Sequence, residues 1–159
     1  MNPRPRYCRP EDRANEKSIL DLIARRLNES FSLALRALPA GQDDAFDGYL
    51  YEADGKLKAV LEVKRRKGWS TAYDMWHISK DKLDRCQAAA AKLGCEFALV
   101  FAWDDGVFMC NSRRFGAMSF RQSGRFDRGD AHDVETMAMI SRTVFTRIGE
   151  TPQPKENTP

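Results

Sequence analysis

The stretch 47-DGYLYEADGKLKAVLEVK-64 decides the fold. Asp54-Gly55 is a hairpin signal, because a two-residue loop needs positive backbone φ and Asp-Gly accepts it. Such a loop pairs positions whose numbers sum to 109, so Ala53 faces Lys56, Tyr49 faces Val60 and Asp47 faces Glu62. Lys64 follows one step along the same face. Directly opposed residues have Cβ atoms about 5 Å apart, and two carboxylates so placed repel unless a cation lies between them. A one-residue slip would send Asp47 to the other face, unless a bulge compensates.

Outward from the hairpin, the strands are expected at about 46–53 and 56–66. Leu57, Ala59, Leu61 and Val63 form one apolar face of the second; Lys58, Val60, Glu62 and Lys64 form the other. Upstream, Ile19, Leu20, Ile23 and Leu27 recur at helical spacing, which predicts a helix over 13–28. Glu16 falls on that apolar stripe and points inward, toward the carboxylate face. Segment 31–38 alternates and reads as a strand. Downstream, an aromatic connection (69–77) precedes a helix at 79–93, capped by Ser79 and closed by Gly94, with Leu83, Cys86, Ala90 and Leu93 on its buried side and Gln87 at the stripe's edge. Strands follow at 96–103 and 107–111, then a long polar loop at 112–133, a strand at 134–140 and a helical piece near 145–148. Helix, strand, hairpin, helix, strand, strand is the order of an α/β sandwich: a central mixed sheet flanked by helices.

The 159 residues suit one domain, at 13–149, with a flexible basic arm at 1–12 and a disordered tail at 150–159. Four scattered cysteines, without metal-ligand spacing, read as reduced thiols in a cytoplasm. No apolar run is long enough to cross a bilayer, which argues against a membrane partner. With Lys+Arg 26 against Asp+Glu 23, the net charge of +3 identifies no polyanionic partner by itself. Its distribution says more: basic residues gather at 64–67, 80–85 and 113–128, carboxylates at 43–54. Arg65, Arg66, Lys67, Lys80 and Lys82 are the candidates for nucleic-acid contact, although solvated faces explain such runs equally well. Trp69, Tyr73, Trp76 and His77 could stack on bases, but loop aromatics more often pack on their own core.

Asp47, Glu62, Glu16 and the Val63 carbonyl offer hard oxygen donors suited to Mg²⁺ or Mn²⁺, and Lys64 can orient a bound water or offset negative charge. Asp47 followed by Glu62-Val63-Lys64 on the adjacent strand resembles the D…E-x-K signature of the PD-(D/E)XK nuclease superfamily, in its small-phage and Holliday-junction-resolvase-like branch. The resemblance spans about residues 16–111. It implies a restriction-endonuclease-like fold with an αβββαβ core, Asp47 and Glu62 as metal ligands with Glu16 and Val63, Lys64 as a catalytic residue, and Gln87 as support from the following helix. Phe46 stands where the name-giving proline would be, and no tyrosine follows Gln87, which argues against a processive exonuclease. The expected activity is metal-dependent DNA hydrolysis by an endonuclease, as a homodimer if it cuts two strands. The alternative is a non-catalytic nucleic-acid-binding or assembly protein on the same scaffold.

Overall fold

The computed structural model describes residues 10–31, 35–41, 44–124 and 134–153. Helix α1 (Pro10–Phe31) opens on proline, whose missing N–H would have no helical partner at that position. It therefore takes in residues 10–12, assigned above to the arm; residues 1–9 and 154–159 lie outside the described part. The chain then forms β1 (Arg36–Pro39), β2 (Gly48–Tyr51), β3 (Leu57–Arg65), β4 (Met75–Ser79), α2 (Lys80–Leu93), β5 (Glu96–Trp103), β6 (Gly106–Asn111), β7 (Ser119–Gly124), β8 (Val134–Ser141) and β9 (Thr146–Gly149).

Six strands make the main sheet, in the order β1-β2-β3-β5-β6-β9. β3 and β5 run parallel, as the intervening helix requires, and the other neighbours are antiparallel. On one face, Ile19, Leu20 and Ile23 of α1 pack with Leu50, Ala59, Leu61, Val63 and Val100. The other face, carrying Val60, Phe97, Leu99 and Phe101, meets Leu83, Cys86 and Ala90 of α2 together with Trp76, Ile78 and Ile140 of a second sheet. That sheet, β4-β8-β7, is antiparallel throughout. The mixed sheet flanked by helices stands as the sequence predicts; the second sheet adds to it.

Several elements differ from expectation. The strand foreseen at 31–38 begins only at Arg36, because α1 runs on to Phe31. The aromatic connection contains β4, whose Trp76 and Ile78 point into the core. The long loop contains β7, while residues 125–133 lie outside the described part. The helical piece near 145–148 is strand β9, which pairs with β6 and so finds its backbone partners in the sheet. α2 has the foreseen caps: the Ser79 hydroxyl accepts from the Lys82 N–H, and Gly94, at φ +68°, donates to the carbonyls of Ala90 and Ala91.

Candidate active site

The hairpin loop holds three residues instead of two. Glu52 N–H donates to the Lys56 carbonyl at 2.8 Å, Gly55 N–H to the Glu52 carbonyl at 2.9 Å, and Gly55 adopts φ +87°. Around this loop the pairing is one residue off: Tyr51 faces Leu57. A bulge at Lys58 then restores the register, so that Leu50 faces Ala59, Tyr49 faces Val60 and Gly48 faces Leu61. The two departures cancel. The apolar pattern explains why: Leu50 and Gly48 must share the α1 face with Ala59 and Leu61, and a slip of one residue would put every side chain on the wrong side.

At the site end of the hairpin, Asp47 N–H donates to the Leu61 carbonyl at 2.9 Å, and Asp47 Oδ2 accepts from Val63 N–H at 2.9 Å. The side chain thus takes over the ladder where the β2 backbone leaves it. The register carries Asp47 to the face of Glu62, which is only 1% exposed. Lys64 Nζ lies 2.8 Å from Glu62 Oε1, and Lys82 Nζ, reaching down from the first turn of α2, lies 3.3 Å from Oε2. Burial pushes the Glu62 carboxyl above the usual range; Lys64 and Lys82 oppose that shift and Asp47 adds to it.

Cys86, one turn beyond Lys82 on α2, packs against the same carboxylate. Its thiol donates to the Ala45 carbonyl at 3.3 Å and lies 4.0 Å from Glu62 Oε2. Burial and the Glu62 charge push it up to about 12, so it stays a neutral donor. Sequence reasoning placed Lys82 among the outward DNA contacts and Cys86 only in the core. The available signal was their i, i+4 spacing at the edge of the α2 stripe.

Glu16 does not approach from above that face, because α1 covers the opposite one. Leu20 lies over Gly48, and Asn28 bonds Leu35 at the hairpin end of the sheet. Glu16, half-buried and one turn before Leu20, therefore lies at the end of the sheet that carries Asp47 and Glu62. Gln87 lines a groove with Lys58, Cys95 and Arg113 at the other end of α2. The α2 groups on the carboxylate are Lys82 and Cys86.

The basic candidates divide in two. Arg66 is engaged internally: its guanidinium bonds the His77 carbonyl at 3.3 Å and lies 5.7 Å from the Phe101 ring centre, and burial lowers its pKa. Lys80 pairs with Asp84 at 2.5 Å. Arg65 and Lys67 are exposed.

Among the described residues, no three His, Cys, Asp or Glu side chains come together as a metal cage. The donors present are nonetheless of the right kind for a hard divalent cation. Two carboxylates share a face, the Val63 carbonyl follows Glu62 in sequence, and the more buried carboxylate already draws two cationic groups to its oxygens.

No curated protein matches the chain. Among solved structures it is similar to the Holliday junction resolvase Hjc from Archaeoglobus fulgidus, with 14% identity over 77% of this chain and 92% of that one, at a TM-score of 0.46. It is also similar to D212, a nuclease from a fusselovirus, with 12% identity over 82% and 80%, at a TM-score of 0.48. The family model described as "Phage putative PDDEXK endonuclease" matches residues 2–148. The match takes in the site and all but the end of the fold, and the chain belongs to this PD-(D/E)XK endonuclease family.

Proposed function

We propose that this protein is a Mg²⁺- or Mn²⁺-dependent deoxyribonuclease that hydrolyses internal phosphodiester bonds. The observation that carries the reading is the convergence of Asp47, Glu62 and Lys64 on one sheet face, with Lys64 Nζ 2.8 Å from Glu62. Asp47, Glu62 and the Val63 carbonyl would hold the cation, with Glu16 supplying a further carboxylate from the end of α1. When bound, such a cation lowers the pKa of a coordinated water and offsets charge on the phosphoryl oxygens. Lys64, at the Glu62 carboxylate, would orient an attacking water and balance the negative charge that develops on the phosphate. Asp47 keeps its orientation through Val63 N–H, and Cys86 of α2 packs against the buried Glu62 carboxylate. DNA is the proposed partner, the cytoplasm the proposed location, and a homodimer the proposed form if both strands are cut.

A second reading, a non-catalytic nucleic-acid-binding protein, draws on Lys82, whose ammonium occupies the Glu62 oxygen that a cation would share. Cleavage assays on supercoiled plasmid, single strands, flaps and four-way junctions, with Mg²⁺, Mn²⁺ or EDTA, separate the two. Cutting should require the divalent ion and fall on the order of 10²-fold or more in Glu62→Gln and Lys64→Ala, with circular dichroism unchanged. Undiminished cutting by both variants would overturn the proposal; salt-sensitive binding without nicking of any substrate would favour the second reading.

A further inference from the structure

Between β3 and β4 the chain displays two large aromatic side chains to solvent: Trp69 is 68% exposed and Tyr73 62%. Their neighbours went the other way. Trp76 packs among Phe101, Trp103, Phe108 and Phe145, and is 2% exposed. Tyr73 stays near Trp103, at 6.3 Å between ring centres, while Trp69 has no ring contact among the described residues.

The loop that carries them is held at many points. Gly68 and Asp104 exchange two bonds: Gly68 N–H donates to Asp104 Oδ2 at 2.8 Å, and Asp104 N–H to the Gly68 carbonyl at 3.1 Å. Ser70 donates from its N–H at 2.9 Å and from its hydroxyl at 2.6 Å to the Asp105 carboxylate. The indole N–H of Trp76 reaches the Ser70 carbonyl at 3.3 Å, and Ala72 N–H closes a turn onto the Trp69 carbonyl at 3.0 Å. Exposure of Trp69 is therefore enforced by a braced backbone, in a chain that had an aromatic core within reach. Single exposed apolar side chains are ordinary on a protein surface, but two aromatic rings held out by a braced backbone in one short loop are available for a ligand to stack on.

Charge and position indicate what binds there. Arg65 and Lys67, both exposed, lie on the same segment as Trp69, which is at most about 17 Å of extended chain beyond Lys64. Exposed aromatic rings on a segment that also carries exposed cations are the elements of a single-strand platform, in which rings stack on bases and cations follow the phosphates. A nucleic acid engages both features at once, the rings by stacking on bases and the cations by contact with phosphates. From this juxtaposition we infer that Trp69, assisted by Tyr73, Arg65 and Lys67, binds an unpaired nucleobase of the DNA a few nucleotides from the scissile bond, so that substrates with single-stranded character are preferred. The inference rests on the nuclease reading for its substrate, DNA, but not on catalysis.

The test uses the full chain in EDTA, so that nothing is cut. Because Trp76 and Trp103 are 2% and 5% exposed, the red-edge, quenchable tryptophan emission reports Trp69. An oligothymidylate should quench it, and a blunt duplex of the same length much less. By fluorescence anisotropy, Trp69→Ala should bind the single strand about tenfold more weakly while duplex affinity changes less than about twofold, and Trp69→Phe should recover most of the loss. Undiminished single-strand binding by Trp69→Ala, or an equal loss for duplex and single strand, overturns the inference. So does Trp69-dependent self-association by sedimentation without quenching by DNA. Persistence of the buried Trp76 and Trp103 emission verifies the fold of each variant. If Glu62→Gln and Lys64→Ala still cut while oligothymidylate quenches Trp69, the catalytic reading fails and the stacking site stands; the reverse pattern removes the stacking site alone.

Discussion

Lys82→Ala should destabilise the protein in a way that depends on pH, and the site geometry sets both the sign and the size. Lys82 Nζ lies 3.3 Å from Glu62 Oε2, with side-chain exposures of 13% and 1%. At an effective dielectric of about 20, a unit-charge pair at that distance gains about 5 kcal/mol, most of it offset by the desolvation of both groups. Removing one partner of a buried pair costs roughly 3–5 kcal/mol when the other is left alone. Glu62 keeps Lys64 at 2.8 Å, so the loss should shrink to about 1–3 kcal/mol. Burial already holds the folded-state pKa of Glu62 above its ordinary value of 4.5, so the folded protein binds this proton more tightly than the unfolded chain. That contribution to stability is full below about 4.5 and is lost as pH rises through the folded value. Without Lys82 the folded value rises further, so the penalty should be largest when Glu62 is ionised and fade as pH falls. Urea unfolding across a series from about pH 4.5 to 8.5 reads this directly. In a Glu62→Gln background, Lys82→Ala should cost less than about 0.5 kcal/mol, because the buried carboxylate that Lys82 pairs is gone. A penalty that is independent of pH, or that persists when Glu62→Gln is already in place, would refute the electrostatic account and leave only the packing of the lysine stem.

Other outcomes follow from the same geometry. A Cβ at Gly48 would lie 2.6 and 3.0 Å from the two methyl carbons of Leu20, which is itself 1% exposed, so Gly48→Ala should cost about 1–3 kcal/mol in urea unfolding. Wild-type stability in that variant would mean that α1 does not press on β2 next to Asp47. The Cys86 thiol, pushed up to about 12, should be thiolate in roughly one molecule in ten thousand at pH 8 and should resist alkylation until the protein unfolds. Stoichiometric labelling of Cys86 under native conditions within minutes would contradict its placement against Glu62.

The hairpin shows how sequence and structure share the decision. Asp54-Gly55 marked the turn, yet the loop closes with three residues and Lys58 bulges out to compensate. The register of Asp47 and Glu62 survived because it is held by the alternation of Leu50, Ala59, Leu61 and Val63 over β2 and β3, a larger burial than any one turn can contribute. Strands β4, β7 and β9 are not legible in the sequence. They are four to six residues long, and β4 and β9 pair with strands far along the chain while β7 is a polar edge strand, so little of their signal is local.

By itself, the sequence determined the hairpin, the helix with its Ser79 and Gly94 caps, the apolar strand at 96–103, and the face shared by Asp47, Glu62 and Lys64. These follow from periodicity and capping, which a chain carries locally. Only the tertiary structure decided which edge of α2 meets Glu62. Lys82 and Gln87 flank the same apolar stripe, about 140° apart around the helix, and periodicity ranks them equally. The packing of α2 on the sheet brings Lys82 and Cys86 to the carboxylate and leaves Gln87 at the far groove. The same applies to α1, which covers the opposite face and brings Glu16 to the end of the sheet. Which face a helix covers depends on packing among elements far apart in the chain, and no local pattern carries that information.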